Sequence, residues 1–177
     1  NKDAIFEKLK LEKKNFILTT IHRAENTDDS SKLRNILSAL CAFKFYQTEL
    51  NQKFKIILPI HPRTKQKIKS YGLNEYLKYF EVINPLGYLD MISLEKEASL
   101  IVTDSGGIQK EAYLHKTPCL TIRNETEWVE LIKSKWNCLA NTEIEKDILD
   151  KIHKQILFNR DSYHCNLYGN SYTSVDI

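Results

Sequence analysis

Glycine is scarce in this chain, 5 residues in 177, and two of the five stand side by side at positions 106 and 107. Proline (4) and cysteine (4) are equally sparse. The cysteines, at 41, 119, 138 and 165, form no C-x-x-C pair, and a chain of this size needs no covalent staples. Reduced, mostly buried thiols are expected. A zinc centre would need clustered ligands, and the 5 histidines are dispersed too. Neither sign of charge dominates: 26 Lys and Arg are scattered among 23 Asp and Glu, for a net charge of +3. That argues against nucleic-acid or membrane-surface binding driven by bulk charge. Long apolar runs are missing as well. They are strand-sized, such as Ile56 to Leu58, so no transmembrane span is expected. The opening NKDAIFEKLKLEKKN is too polar for a signal peptide. Repeats, low-complexity segments and internal linkers are absent from the sequence. The first residue is not Met, and the tail NLYGNSYTSVDI shows no clear terminal element. A domain of a longer, cytoplasmic protein is the expectation.

What is present suits a folded domain: 42% hydrophobic and 28% charged residues, in a length that allows one compact core. Short β-branched runs alternate with longer helical patterns. Strands are expected over Phe16–Thr20, Lys55–Ile60, Phe80–Ile83, Leu100–Thr103 and Cys119–Ile122, with a weaker one over Cys138–Ala140. Helical spacing runs through Asp29–Leu50, by way of Leu33, Ile36, Leu37, Leu40, Phe43 and Leu50. Thr64–Ser70 is short and basic, and Ile108–His115 follows the glycine pair. In Glu143–Phe158, Ile144, Ile148, Ile152 and Ile156 recur every helical turn, with Leu149 alongside. Runs such as KIILPI, LIVTD and CLTIR are continuously apolar, as strands covered on both faces are. Strand–helix alternation then predicts an α/β domain with a Rossmann-like, doubly wound parallel sheet.

Open parallel sheets bind ligands at the carboxyl ends of their strands, so the segments after each strand are where chemistry belongs. After the first, TTIHRAENTDD packs His22, Arg23, Glu25 and Asn26 into one loop. Glu25 and Asn26 can also simply organise the turn, and Thr27 or Asp28 can cap the long helix. After the second, PIHPRT holds His61 extended before Pro62. It is either a solvated cap or a fixed imidazole facing the same crevice as His22. After the third, INPLGYLDMISL places Tyr88, Leu89 and Met91 at a loop-to-helix junction. That is ordinary packing, or a lip for a planar base. After the fourth comes IVTDSGGIQKEA. Glycine lets a ligand approach the main chain, and amides at a helix start point outward with the positive end of the dipole. Ser105, Gly106 and Gly107 therefore make a seat for phosphate oxygens. The spacing is neither G-x-x-x-x-G-K-[ST] nor G-x-G-x-x-G, so a dinucleotide is not expected. Glu111, about 6 Å along the helix from Gly107, suits two ribose hydroxyls. It could instead pair with Lys110 or His115. After the fifth, IRNETEWVELI crowds Arg123, Glu125, Thr126, Glu127 and Trp128 together. Thr126 can serve there as a helix cap.

The segments TTIHRAEN, HPRT, TDSGGIQKEA and IRNETEWVE, in this order and spacing, resemble the non-hydrolysing UDP-N-acetylglucosamine 2-epimerases, specifically their carboxy-terminal domain. The resemblance runs nearly end to end and includes the Y-G-containing tail. It implies a single nucleotide-binding domain over residues 1–177, one half of a two-domain glycosyltransferase-B-type architecture. The family's acid–base carboxylates would lie in the amino-terminal half. The implied reaction inverts C2 of the sugar by eliminating UDP to a 2-acetamidoglucal and adding it back, with no metal or nicotinamide cofactor. It belongs to cell-surface polysaccharide biosynthesis. By position, Ser105, Gly106 and Gly107 would hold the diphosphate and Glu111 the ribose. The backbone near Met91, where the family often has an aromatic residue, would meet uracil. His22 matches the family's active-site histidine. Arg23 and His61 match motif positions, and Arg123, Thr126 and Glu127 would lie near the substrate. Members are commonly dimers. Three departures stand out: Lys110 replaces a frequent Glu, TEWVE replaces T-E-R-P-E, and Ser171 replaces a glycine. The Trp form resembles relatives that act on UDP-2,3-diacetamido-glucuronic acid. Two alternatives remain at this level: the donor-nucleotide domain of a glycosyltransferase, and a non-catalytic nucleotide-sugar-binding domain.

Overall fold

Strand β1 (Phe16–Thr20) and strand β4 (Leu100–Thr103) are buried along their whole length, which is why their sequences lack polar alternation. They are the middle pair of a six-stranded sheet. The others are β2 (Lys55–Pro59), β3 (Glu81–Ile83), β5 (Cys119–Thr121) and β6 (Asn137–Leu139). Every pairing is parallel, and the order is β3-β2-β1-β4-β5-β6. This is the doubly wound order. Leu18 stands opposite Ile57 on one side and Ile101 on the other. The structure, a computed structural model, describes residues 4–46, 53–158, 167 and 168.

Side chains alternate between the two faces of the sheet, and each face has its own helices. Ile17, Ile56, Leu58, Val102 and Leu120 pack with α3 (Ser30–Tyr46), α8 (Glu145–Leu157) and a 3₁₀ turn (Asn74–Tyr79). Phe16, Leu18, Ile57 and Ile101 pack with α1 (Ala4–Leu9), α5 (Tyr88–Glu97) and α6 (Gly106–Leu114). The remaining helices are α2 (Ala24–Thr27), α4 (Pro62–Ser70) and α7 (Val129–Lys133).

The expected strands all form, with edges displaced by a residue. β2 stops at Pro59, β3 begins at Glu81, β5 ends at Thr121 and β6 begins at Asn137. The helical apolar positions are also borne out: Leu33, Ile36, Leu37, Leu40 and Phe43 are all 0% exposed. Ile144 is a correction. It precedes α8 and is 52% exposed, while Ile148 and Ile152 are buried. The cap of α3 is another. Neither Thr27 nor Asp28 holds it; Asp29 Oδ1 accepts from the Ser31 and Lys32 N–H groups at 2.9 and 3.0 Å. Thr27 instead ends α2, which the sequence pattern did not signal, and its hydroxyl donates to the Arg23 carbonyl. The glycines lie in the first turn of α6 rather than before it. Cys41 and Cys119 are buried and Cys138 is partly buried. Leu50, Cys165 and Ser171 lie outside the described residues.

Phe43 of α3 packs its ring between neighbouring elements, with its centroid 6.1 Å from that of Phe54, before β2, and 5.2 Å from that of His153 on α8. Phe43→Ala is expected to cost about 3–5 kcal/mol through the cavity it leaves, read as a fall in the urea midpoint at unchanged slope.

Candidate functional site

The strand order reverses between β1 and β4, and there the crevice of a doubly wound sheet opens. Thr20 and Thr103 end these strands as register partners, and their buried hydroxyls lie 2.6 Å apart. Asp104 follows immediately and is 0% exposed. Its carboxylate accepts from the His22 N–H at 3.0 and 3.1 Å, the Arg23 N–H at 3.0 Å and Asn26 Nδ2 at 3.1 Å. Asn26, 1% exposed, also donates to the Ile122 carbonyl at 3.0 Å. One buried carboxylate and one buried amide thus tie together the loops after β1, β4 and β5. A buried anion without a cation persists only with several donors of this kind.

The loop after β2 is drawn in separately. Thr64 Oγ1 donates to the Ile21 carbonyl at 2.8 Å, and Arg63 and Lys67 pair with Asp28 at 2.7 and 2.8 Å. His61 caps α4, its Nδ1 accepting from the Arg63 N–H at 3.3 Å. The His22 and His61 rings meet edge to face, with centroids 6.3 Å apart. The two histidines therefore lie side by side beyond the carboxyl ends of β1 and β2. Desolvation holds the His22 imidazole below its ordinary value of 6.5; Asp104 opposes this, and the proximity of His61 adds to it.

Ser105 caps α6, its hydroxyl accepting from the Ile108 N–H at 3.5 Å. Among the described residues the Gly106 and Gly107 N–H groups have no partner, as expected for the first turn of a helix. The two glycines differ in their surroundings. Among the described residues a Cβ on Gly107 would meet only Ser105 Oγ, at 3.9 Å, whereas one on Gly106 would lie 2.5 Å from Glu127 Oε1. The Trp128 indole also donates to the Gly106 carbonyl at 2.9 Å. The expected anion seat is thus open at Gly107 and flanked by the protein's own carboxylate at Gly106.

The loop after β5 is a charge cluster. Arg123, 7% exposed, donates from Nη1 to Glu127 Oε2 at 2.9 Å, with Glu25 3.7 Å from its Nε. Arg23 reaches Glu127 at 3.9 Å. The backbone N–H of Glu127 itself and the Arg123 guanidinium hold the Glu127 carboxyl below the usual carboxylate range. Thr126 does not cap α7 directly. Its hydroxyl accepts from the Trp128 N–H and donates to Gln109 Oε1 at 2.7 Å. Buried Gln109, which the sequence reading passed over, also accepts from Asn137 Nδ2 and donates to the Ser105 carbonyl. A polar residue on the buried side of a glycine-started helix was the available signal. Asp104 was missed as a tether because its donors lie about 80 residues away, in contacts of sequence separation 78 to 82.

Met91 and Glu111 sit on neighbouring helices, α5 and α6. Met91 is half-buried against the second core, and Tyr88 and Leu89 beside it are 68% and 79% exposed. Lys110 does not pair with Glu111. Its ammonium lies 3.5 Å from the Trp128 ring centroid and 5.3 Å from that of Tyr168. Among the described residues no three His, Cys, Asp or Glu side chains are grouped as a metal site would require, and no helix is long and apolar enough to cross a membrane.

The family model for UDP-N-acetylglucosamine 2-epimerase matches residues 1–177. The chain belongs to the UDP-N-acetylglucosamine 2-epimerase family. It is 46% identical over 177 residues to a UDP-N-acetylglucosamine 2-epimerase homolog of Methanococcus maripaludis, covering 98% of this chain and 46% of that protein. It is also 46% identical over 125 residues to the UDP-2,3-diacetamido-2,3-dideoxy-D-glucuronate 2-epimerase of Pseudomonas aeruginosa, covering 71% and 33%. The Methanocaldococcus jannaschii UDP-GlcNAc 2-epimerase, solved in complex with UDP-GlcNAc and UDP, superposes with a TM-score of 0.81 at 36% identity, over 96% of this chain and 45% of that one. The glycosyltransferase-B-type likeness extends to the E. coli heptosyltransferase WaaC, as fold alone: TM-score 0.52, 15% identity, 81% and 46% covered. The chain spans about half the length, or less, of the family relatives it matches.

Two outcomes follow from this geometry. Asp104→Ala orphans three donors and is expected to cost about 2–4 kcal/mol, measured by denaturant unfolding. In an NMR titration the His22 imidazole is expected to titrate below 6.5. The folded state then binds fewer protons at His22 than the unfolded state does. Stability is therefore full above the unfolded value and falls as pH drops through the folded one.

Proposed function

We propose that this chain is the UDP-binding domain of a longer enzyme, a non-hydrolysing UDP-N-acetylglucosamine 2-epimerase. An amino-terminal half would close over it and supply the acid–base carboxylates. The full enzyme inverts C2 of a UDP-linked 2-acetamido sugar by eliminating UDP and adding it back to the resulting glucal. The observation that carries this reading is the Ser105–Gly107 turn at the reversal of strand order, with space over Gly107 free of the other described residues, in a chain of this family.

Each group has a task in that reading. The Gly106 and Gly107 amides and the Ser105 hydroxyl hold the diphosphate, and the Glu111 carboxylate accepts from the ribose hydroxyls. Uracil lies against the start of α5 near Met91. His22 stabilises or protonates the departing diphosphate, with His61 against its ring. Arg123 and Arg23 supply positive charge beside the phosphates, while Thr126 and Glu127 set the position of the loop that carries Arg123. The sugar is a 2-acetamido sugar, with the diacetamido-glucuronate as the second candidate. The enzyme works in the cytoplasm as a homodimer, without nucleic acid.

Calorimetry with UDP tests the binding. Gly107→Val fits the folded chain, since among the described residues only Ser105 Oγ lies within contact, so it should leave unfolding unchanged while weakening UDP at least about tenfold, or ~1.4 kcal/mol. No heat from wild type, or equal affinity in the variant, sinks the seat. In the full-length enzyme, His22→Ala is expected to lower kcat by about 10²–10⁴-fold with UDP binding retained, as removal of a general acid does.

A further inference from the structure

Helices α5 and α6 pack against each other. Met91 and Glu95 are one turn apart on α5 and so share a side; Gly107 and Glu111 are spaced the same way on α6, with His115 as its C-cap. Glu95 is 1% exposed, and its Oε2 has no hydrogen-bond partner. A carboxylate so placed is unfavourable, and the neutral acid is the form that such surroundings favour.

The charges around it reinforce this. Glu111 of α6 lies near enough for its charge to be felt; burial first, and the Glu111 charge second, raise the Glu95 carboxyl to about 8. His115, the C-cap of α6, is held below its ordinary value by burial, with Lys96 and Lys14 adding to this against Glu111. Lys14 gives its ammonium to the Lys96 and Ala98 carbonyls at 2.7 and 3.1 Å, with Glu97 as its nearby anion. On α1, which also packs on α5, Glu7 and Lys8 are exposed to solvent. Among the described residues no ion pair reaches Glu95.

We propose that Glu95 is a charge control on nucleotide binding: as a neutral acid buried on the helix packed against α6 it leaves Glu111 the anion offered to the ribose, and its ionisation weakens binding of the anionic nucleotide. The inference rests on the UDP reading above and identifies a control on that same site. A second negative charge beside Glu111 opposes the approach of the anionic nucleotide.

The test is UDP affinity against pH, by calorimetry on wild type, Glu95→Gln and Glu95→Met. Wild type should weaken about tenfold between about pH 6.5 and pH 9, because a group titrating near 8 leaves about a tenth of the molecules competent at the upper end. Both variants should keep the wild-type affinity of the lower pH throughout, apart from the titration of uracil, which all three proteins share. Carbon-13 spectra of the glutamate carboxyls should show one group titrating near 8 in wild type and missing from the variants. Parallel pH profiles in all three proteins overturn the inference and leave the nucleotide reading standing. So does loss of UDP binding at the lower pH by both variants when their circular dichroism is native. Failure of every protein to bind UDP at any pH overturns the nucleotide reading itself.

Discussion

The carboxylate of Asp104 is the constraint on which the site depends. It is wholly buried where β4 ends, and it takes hydrogen bonds from His22, Arg23 and Asn26 of the neighbouring loop. Two of these donors are backbone N–H groups, so the tether sets the path of the main chain. That path aims the His22 and Arg23 side chains. A parallel sheet places strand ends side by side but leaves the following loops free. Asp104 removes that freedom at the point where the strand order reverses, and Asn26 extends the restraint to the third loop through the Ile122 carbonyl.

A second polar assembly underlies the start of α6. Thr121, Asn137, Gln109 and Thr126 pass hydrogen bonds from β5 through the helix to the loop beyond. Every member uses its polar atoms inside the protein, which is the condition under which a buried network makes a structure rigid. The helix start is therefore held from below while, among the described residues, the Gly106 and Gly107 N–H groups stay unpaired above. Arg123 and Arg23 bring positive charge to the same corner, balanced by Glu127 and Glu25. Glu127 beside Gly106 is an internal anion at a place that favours anions.

The sheet and its helices were largely legible from residue pattern. Buried parallel strands must be apolar on both faces, and amphipathic helices must repeat with the helical period, so both leave marks in local sequence. The short elements left none. α2 has 4 residues and α7 has 5, too few for a period, and both exist because tertiary contacts fix their ends. The cap of α3 fell on Asp29 rather than its neighbours. Three adjacent residues could each accept, and the choice depends on backbone angles that the sequence does not display.

The site divides in the same way. Sequence by itself determined the type of sheet, the loops that could carry chemistry and the glycine pair at a helix start, because each follows from local sterics and periodicity. Only tertiary structure decided that His22 meets His61, that Arg123 is buried against Glu127 and that Lys110 lies on the Trp128 ring. It also decided that Glu95 is buried within reach of the Glu111 charge. Such pairings join residues from different loops and helices. A hydrogen bond or a desolvated charge depends on distance in space, and the chain order does not contain that distance.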